Sequence, residues 1–194
     1  PEQGCGLDGL LRRRGSDLFG VLNGIDYEVW DPEIDLHLPA NYSHRNLSGK
    51  GVCKAALQEV MGLEQDAKVP IVAMVTRLVD QKGIGELCGP TYGSLYRICN
   101  ELALQFVILG TGEAWCEAEL EKLDAKLPNL SVALEYNEAL AHLIEGGADF
   151  FLMPSRYEPC GLNQMYSLRY GTLPIVRATG GLADTVEQYD EPSG

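Results

Sequence analysis

From residue 69 onward, short apolar runs alternate with stretches in which apolar residues recur at helical spacing. The run 69–76 is rich in β-branched residues and almost wholly apolar, as is typical of a strand covered on both faces of a parallel sheet. The other runs of this kind are 106–109, 130–134, 150–153 and 173–176. Alternating strands and helices predict an α/β fold, a doubly wound parallel sheet that binds ligands outside the carboxyl ends of its strands.

Helical spacing predicts a helix before the first strand and further helices between the strands. In 117–127, for example, the leucines fall on one face. The first helix is predicted to have Ser48 as its N-cap and Gly62 as its stop signal. The segment 83–100 is rich in glycine and has the weakest periodicity. The predicted helices are 48–62, 94–102, 117–127, 138–145 and 162–170.

Composition limits the class of partner. The 194 residues include 15 Lys and Arg against 28 Asp and Glu, a formal net charge of -13, which disfavours a broad nucleic-acid-binding surface. A local basic pocket would form if Arg77, Lys82, Arg156, Arg169 and Arg177 converged in space. The chain has no apolar run of the roughly 18 to 20 residues needed to span a membrane and no secretory signal pattern, so we expect a cytoplasmic protein.

The cysteines do not have the spacing of a metal site. None forms a C-x-x-C pair, and none has a histidine at zinc-ligand spacing. We therefore expect reduced thiols, most of them buried packing residues, and no bound metal. The six are Cys5, Cys53, Cys88, Cys99, Cys116 and Cys160.

The loop after the first predicted strand places Arg77 and Lys82 five residues apart. Two cations at the carboxyl end of a parallel sheet suit a diphosphate, because arginine binds phosphate bidentately and lysine adds a point charge. An ordinary solvated surface pair is the alternative. After the next strand, Gly110 and Gly112 fit either a phosphate-binding loop or a tight turn. The absence of a full G-x-G-x-x-G sequence counts against an NAD-binding fold.

The loop after the fourth predicted strand combines several reactive residue types. Gly161, Leu162 and Asn163 begin the next helix, so free backbone N–H groups and the helix dipole form an anion site there. Glu158 lies three residues earlier. Its carboxylate can accept hydrogen bonds from sugar hydroxyls or stabilise developing positive charge.

Two further loops add to this site. Tyr136 follows the third strand, where it either stacks on a nucleobase or packs against the neighbouring helix. Thr179, Gly180 and Gly181 follow the fifth strand and again place glycines before a helix start. Together the loops predict a pocket for an anionic ligand that is rich in hydroxyl groups.

Several long stretches of the chain closely resemble bacterial glycogen synthases and plant starch synthases. They are PSRYEPCGL (154–162), YGTLPIV (170–176), TGGLADTV (179–186), LNGID with WDP (22–32), and RL with QKG (77–83). The resemblance implies a retaining glycosyltransferase of the GT-B type, in which two Rossmann-like domains face each other across a cleft. It also implies transfer of glucose from ADP-glucose to the 4-hydroxyl group at the non-reducing end of an α-1,4-glucan, with no cofactor besides the donor.

The same resemblance implies roles for individual residues. Arg77 and Lys82 would hold the donor diphosphate and neutralise the leaving ADP, and Glu158 corresponds to the family's essential glutamate near the transferred glucose. Tyr136 would stack near the adenine, backbone groups of 161–163 would meet the distal phosphate, and 179–181 would border the sugar. The implied substrate-binding residues are Tyr136, Cys160, Gly161, Leu162, Asn163, Thr179, Gly180 and Gly181. The expected partners are ADP-glucose or ADP and a glucan acceptor, with no nucleic acid and no membrane.

The chain differs from related proteins in several ways. Related glycosyltransferases carry a second glutamate at the position of Tyr166, where tyrosine is usual in glycogen synthases, and its absence removes a paired-carboxylate mechanism of the glycosidase kind. The segment 83–100 is rich in glycine where the family commonly has a leucine-rich helix. The family's N-terminal domain is not matched, so we expect 1–47 to be an interdomain connector with the tail of that domain. We expect 48–194 to be the nucleotide-sugar-binding Rossmann-like domain, truncated at its C-terminus. Alone it should bind ADP or ADP-glucose weakly and catalyse little, because catalysis needs both walls of the cleft.

Two alternatives come from other classes of protein. A non-catalytic carbohydrate-binding module would bind glucan without nucleotide, but few exposed aromatic residues are expected for stacking on sugar. An NAD-dependent oxidoreductase would need the glycine fingerprint and the acidic residue that follows it. The sequence leaves the choice between ADP-glucose and UDP-glucose open.

Overall fold

The computed structural model describes residues 6–89 and 93–190, and these contain a five-stranded parallel sheet. Its strands are β1 (Ile71–Val75), β2 (Gln105–Leu109), β3 (Leu130–Ala133), β4 (Phe150–Met153) and β5 (Leu173–Val176). They lie in the order β3-β2-β1-β4-β5, so the chain builds outward from β1 to one edge and then crosses to the other side of β1. All five strands coincide with the predicted apolar runs to within two residues. The predicted doubly wound parallel sheet is confirmed.

Helices cover both faces of this sheet. They are α1 (Asp8–Arg13), α2 (Ser48–Val60), α3 (Ile84–Cys88), α4 (Ser94–Glu101), α5 (Ala114–Asp124), α6 (Glu138–Gly147), α7 (Asn163–Tyr170) and α8 (Gly180–Thr185), with short 3-10 turns at Gly15–Asp17 and Asp80–Lys82. The five predicted helices are confirmed as α2 and α4 to α7. No helix in the described part of the chain is long and apolar enough to cross a membrane.

Two local predictions were wrong or incomplete. Ser48 is the first residue of α2 rather than its N-cap, and the Ser48 N–H donates to the side-chain oxygen of Asn46 at 3.1 Å. The helices α1 and α3 were missed, because five or six residues are too few to display a helical repeat. Pro90, in the glycine-rich segment between α3 and α4, lies outside the described residues.

The central strands are buried on both faces, which explains their unbroken apolar sequences. In β1, Ile71 and Ala73 pack in the core cluster that includes α2 and α6, whereas Val72 and Met74 pack in the cluster that includes α3, α4 and α5. Alternate side chains of a strand point to opposite faces of the sheet. Full burial of an aliphatic side chain such as Ile71 stabilises the fold by about 1.5–3 kcal/mol.

The segment 26–47 forms no helix, but it packs closely on the body of the fold. Leu38 and Tyr42 belong to the same core cluster as β1 and β4. The hydroxyl of Tyr42 donates to the carbonyls of Gly146 at 3.2 Å and Tyr170 at 2.9 Å. The domain division at residue 47 stays a prediction, and in packing terms these connector residues join the domain that follows them.

The cysteines within the described residues are free thiols, as predicted. Cys53, Cys88, Cys99 and Cys116 are buried, whereas Cys160 is partly exposed. Burial raises the pKa of Cys88 to about 12 and the pKa values of Cys99 and Cys116 to about 11. Cys5 lies outside the described residues.

A buried polar cluster joins α2, α6 and α7. Glu145 is almost wholly buried in α6 and accepts a hydrogen bond from the hydroxyl of Ser167 at 2.8 Å. The ammonium of Lys50 donates to the Gly146 carbonyl at 3.1 Å and to the Thr172 hydroxyl at 2.8 Å. Burial raises the pKa of Glu145 to about 8, although the hydrogen bond from Ser167 acts to lower it. Burial also lowers the pKa of Lys50 to about 8.

The raised pKa of Glu145 predicts a pH dependence of the free energy of unfolding that Glu145→Gln removes. The unfolded chain releases the Glu145 proton near its ordinary pKa of 4.5, whereas the folded chain keeps it to about 8. The free energy of unfolding of the wild type should therefore fall as pH rises, by about 2 kcal/mol between roughly pH 5 and pH 7. Glutamine stays neutral and can still accept from Ser167, so this variant should lose that decline in urea titrations at each pH.

A matched control is Glu121→Gln, because Glu121 is an exposed carboxylate of α5. This variant should follow the wild-type dependence on pH. Parallel curves for the wild type and Glu145→Gln would contradict the assignment of a proton to the buried Glu145 side chain.

Candidate functional site

A cleft opens at the carboxyl ends of β1 and β4, where the order of the strands in the sheet reverses. It has two lobes, which share Val75, Thr76, Arg77 and Asn163. The first lobe, of about 430 Å³, is bounded by the loops after β1 and β4 and by the start of α7. The second lobe, of about 300 Å³, is bounded by the loops after β2 and β3 and by Trp30. Ligands bind at this position in doubly wound sheets.

Most of the predicted site residues line this cleft. The first lobe contains the two predicted cations, the glutamate and the start of the helix, and the second contains the predicted tyrosine. The lining residues that were predicted are Arg77, Lys82, Tyr136, Glu158, Cys160, Gly161, Leu162 and Asn163. Thr179, Gly180 and Gly181 are not among the lining residues of either lobe.

Lys82 and Glu158 form an ion pair between the loops after β1 and β4. The hydroxyl of Ser155 donates to the same carboxylate oxygen of Glu158 at 3.2 Å, and Glu158 is largely buried. Gly83 permits the close approach of the two loops, because a Cβ atom there would lie 2.5 Å from the carbonyl oxygen of Pro154. Its φ of +78° also favours glycine.

Arg77 is exposed on the wall that the two lobes share, and no carboxylate among the described residues pairs with it. Arg156 instead pairs with Asp80 and Glu86 on the outside of the loop, and Arg169 pairs with Asp31 of the connector. The basic pocket therefore contains Arg77 and Lys82. The suggested convergence of Arg156, Arg169 and Arg177 on the same pocket was wrong, because Arg156 and Arg169 have carboxylate partners elsewhere and Arg177 lines neither lobe.

The start of α7 forms part of the first lobe. Gly161 has a φ of +76°, which turns the chain into the helix, and the side-chain amide of Asn163 donates to the carbonyl of Val75 at 2.8 Å. The first N–H groups of a helix have no acceptor within the helix, and the helix dipole adds partial positive charge at this end. Together with Arg77 and Lys82, the end of α7 makes the first lobe electropositive and suited to phosphate groups.

The connector reaches into the first lobe at Asn23, which sequence reasoning had not singled out. The Asn23 N–H donates to the sulfur of Cys160 at 3.3 Å across 137 residues of sequence. Asn23 lies within the LNGID stretch that supported the family resemblance, and that stretch was the available signal. The contact between Asn23 and Cys160 joins residues that are far apart in the chain, so no local sequence pattern predicts it.

Gly180 and Gly181 lie behind the loop that carries Glu158. The Gly181 N–H donates to the Glu158 carbonyl at 3.0 Å. A Cβ atom on Gly180 would lie 2.1 Å from that carbonyl oxygen, and one on Gly181 would lie 2.3 Å from Cα of Cys160. The two glycines therefore allow α8 to pack directly on this loop. The suggestion that 179–181 border the sugar stays a prediction.

The second lobe is aromatic and acidic. Tyr136 is 91% exposed, so it does not pack against the neighbouring helix, which was the alternative to ligand stacking. Glu135 accepts from the side-chain amide of Asn137 at 2.8 Å, and the oxygen of that amide accepts from the Leu140 N–H at 2.9 Å and caps α6. Glu138 adds another carboxylate at the start of α6. Arg77 borders both lobes, so the lining side chains sum to +1 in the first lobe, with Lys82 and Glu158, and to -1 in the second, with Glu135 and Glu138, and this difference gives the cleft a charge gradient.

Metal ligands do not gather in this cleft. Within residues 6–89 and 93–190, no group of three or more His, Cys, Asp or Glu side chains could hold a metal ion.

Comparison with known proteins gives concordant matches. Residues 61–194 match the family model described as "Glycosyl transferases group 1". The chain is 59% identical over 194 residues to a glycogen synthase of Treponema denticola, covering 100% of this chain and 40% of that protein. It is 54% identical over 192 residues to glycogen synthase 1 of Geobacter metallireducens, covering 98% and 37%. The chain thus spans about 40% of the length of the curated relatives it matches.

Among solved structures, the fold resembles the catalytic domain of starch synthase IV from Arabidopsis thaliana bound to ADP and acarbose. The TM-score is 0.90 at 38% sequence identity, and the match covers 98% of this chain and 38% of that chain. The Rossmann-like fold of a GT-B glycosyltransferase is therefore confirmed for this chain.

The packing of α8 predicts that Gly181→Ala destabilises the protein although the residue lies outside the cleft. The added methyl group would collide with the backbone of Cys160. We expect the free energy of unfolding in urea to fall by about 1–3 kcal/mol. A denaturation midpoint equal to that of the wild type would contradict the close packing of α8 on this loop.

Gly51→Ala is the control for this substitution. Gly51 lies on the exposed side of α2, and an added Cβ would meet no atom within 4 Å. Alanine has a higher helix propensity than glycine, so this variant should gain up to about 1 kcal/mol.

Proposed function

Since the chain belongs to the family of group 1 glycosyl transferases, we propose that it is the donor-binding part of a glycogen or starch synthase. The intact enzyme transfers glucose from ADP-glucose to the 4-hydroxyl group at the non-reducing end of an α-1,4-glucan and retains the anomeric configuration, and this chain supplies the half that binds ADP-glucose. No cofactor besides the donor is required. The observation that carries the proposal is the charge gradient of the two-lobed cleft.

The gradient orients a nucleoside diphosphate sugar in one direction. Its diphosphate lies in the first lobe beside Arg77, Lys82 and the start of α7, where the positive charge is concentrated. The nucleoside lies in the second lobe beside Tyr136, because the carboxylates there repel phosphate. The sugar then lies near Glu158. The starch synthase IV structure, whose match covers 98% of this chain, was obtained with ADP bound.

In the proposed reaction the bond between the glucose C1 and the donor phosphate breaks, and the phosphate oxygen takes the electron pair. Arg77 and Lys82 stabilise the negative charge that develops on the leaving ADP. The acceptor hydroxyl forms the new bond to C1 on the same face and gives its proton to the departing phosphate oxygen. Glu158 acts as a single carboxylate near the sugar, because Tyr166 occupies the position of a second one.

Titration calorimetry with ADP, ADP-glucose, UDP-glucose and NAD tests the donor site. We expect the chain to bind ADP and ADP-glucose and not NAD. Lys82→Ala should weaken ADP binding by at least about tenfold, because it removes a charge-assisted hydrogen bond to phosphate and leaves the Glu158 carboxylate unpaired in the same lobe. Arg77→Ala should have a similar effect.

The control is Arg97→Ala, which removes an exposed cation of α4 that pairs with Glu101. ADP affinity should not change in this variant. Equal ADP affinity in the wild type and in both cleft variants would contradict the assignment of the diphosphate to the first lobe.

The exposure of the cysteines predicts that ADP protects Cys160 from alkylation. Cys160 lines the first lobe and is partly exposed, whereas the other cysteines within the described residues are buried. Iodoacetamide labelling followed by peptide mass spectrometry should therefore find Cys160 modified before Cys53, Cys88, Cys99 and Cys116, and more slowly in the presence of ADP. A rate at Cys160 that saturating ADP leaves unchanged would argue against a nucleotide in this lobe.

A further inference from the structure

Trp30 of the connector is enclosed between two aromatic side chains of the domain. Its ring stacks on His142 of α6, with centroids 3.8 Å apart and an interplanar angle of 9°. Its other face stacks on Tyr166 of α7, at 3.9 Å and 6°. Trp30 is half-buried and also lines the second lobe of the cleft. A residue from the connector therefore forms part of the wall of this lobe.

Residues next to Trp30 hold the connector in place. Asp31 pairs with Arg169 of α7. Asp35 is buried, pairs with the Nδ1 atom of His142 at 2.7 Å and accepts from the hydroxyl of Tyr170. Burial alone would raise the pKa of Asp35, but these hydrogen bonds lower it, so the aspartate is ionised. Trp30 thus directly precedes a segment that Asp31 and Asp35 fix to α6 and α7.

We propose that Trp30 is a ligand-contacting residue of the second lobe, which presents the edge of its indole ring to the nucleoside of a nucleoside diphosphate. Both faces of the ring are covered, so the edge is the part available to the lobe. The exposed ring of Tyr136 lines the same lobe. This inference rests on the proposed function, because it takes the second lobe to be the nucleoside site.

The stacking of Trp30 also links ligand binding to the connector. Nucleoside contact with Trp30 requires the connector to be docked, and a docked connector completes the lobe. Ligand binding therefore favours docking of the connector, and docking of the connector increases the affinity for the ligand by the same factor, because the two equilibria are linked. Removal of the indole ring should weaken nucleotide binding and leave binding to the first lobe intact.

The tryptophan content of the chain allows a direct optical test. The sequence contains two tryptophans, Trp30 and Trp115. Trp115 lies in α5, donates its indole N–H to Glu113 and lines neither lobe. In a Trp115→Phe variant all tryptophan emission comes from Trp30, and ADP should change its intensity or wavelength. In the matched Trp30→Phe variant the emission of Trp115 should not respond to ADP.

Calorimetry with ADP and with inorganic pyrophosphate tests how much Trp30 contributes to the affinity for the nucleoside. Pyrophosphate carries no nucleoside and probes the first lobe alone. Trp30→Ala should weaken ADP binding by at least about fivefold, the range expected for one aromatic contact, and leave pyrophosphate binding within about twofold. Trp30→Phe retains a ring between His142 and Tyr166, so it should fold normally and lose less ADP affinity.

Each outcome of the emission and calorimetry experiments supports or overturns the proposed contact between Trp30 and the nucleoside. If ADP binds all variants equally and the emission of Trp30 does not change, the inference is overturned and the proposed function stands. If the Trp30 variants lose ADP and pyrophosphate binding to the same extent, Trp30 supports the fold alone, which also overturns the inference. If the wild type binds neither ligand, the proposed function fails and the inference fails with it. If Trp30→Ala does not fold, Trp30→Phe and the emission of Trp30 decide.

Discussion

The geometry of the cleft depends on the contact between Lys82 and Glu158, which are 76 residues apart in the chain. Each belongs to a loop at the carboxyl end of a central strand, on either side of the point where the strand order reverses. A largely buried carboxylate without a partner costs several kcal/mol of desolvation, so the pair stabilises the two loops in one arrangement. Gly83 allows the loops to approach each other, because a side chain there would collide with Pro154.

The two lobes differ in charge because of where secondary structure begins and ends. Arg77 borders both lobes, but the first lobe also receives the positive end of α7 and the Lys82–Glu158 pair, whereas the second receives carboxylates from the loop after β3 and the start of α6. Acidic residues are favourable at the start of a helix, so Glu138 stabilises α6 while it gives the lobe negative charge. The same local preferences that stabilise the helices therefore produce the charge difference on which the proposed orientation of the donor rests.

Sequence patterns predicted the strands well, because strands buried on both faces must be apolar along their whole length. They predicted α3 poorly, because a five-residue helix cannot show a repeat. They also identified Arg77 and Lys82 as cleft cations but could not separate them from Arg156 and Arg169, whose carboxylate partners are decided by loop packing. The roles of the site residues in binding and catalysis stay predictions.

The sequence by itself determined the five parallel strands, the longer helices between them, and the loops that carry reactive side chains. Local chemistry is sufficient for these features, because apolar periodicity and glycine positions act over a few residues. Only the tertiary structure decided that Gly180 and Gly181 support the Glu158 loop from behind and that Trp30 of the connector forms a wall of the second lobe. These contacts join residues that are distant in sequence, and their stability comes from close packing and buried hydrogen bonds that no local pattern encodes.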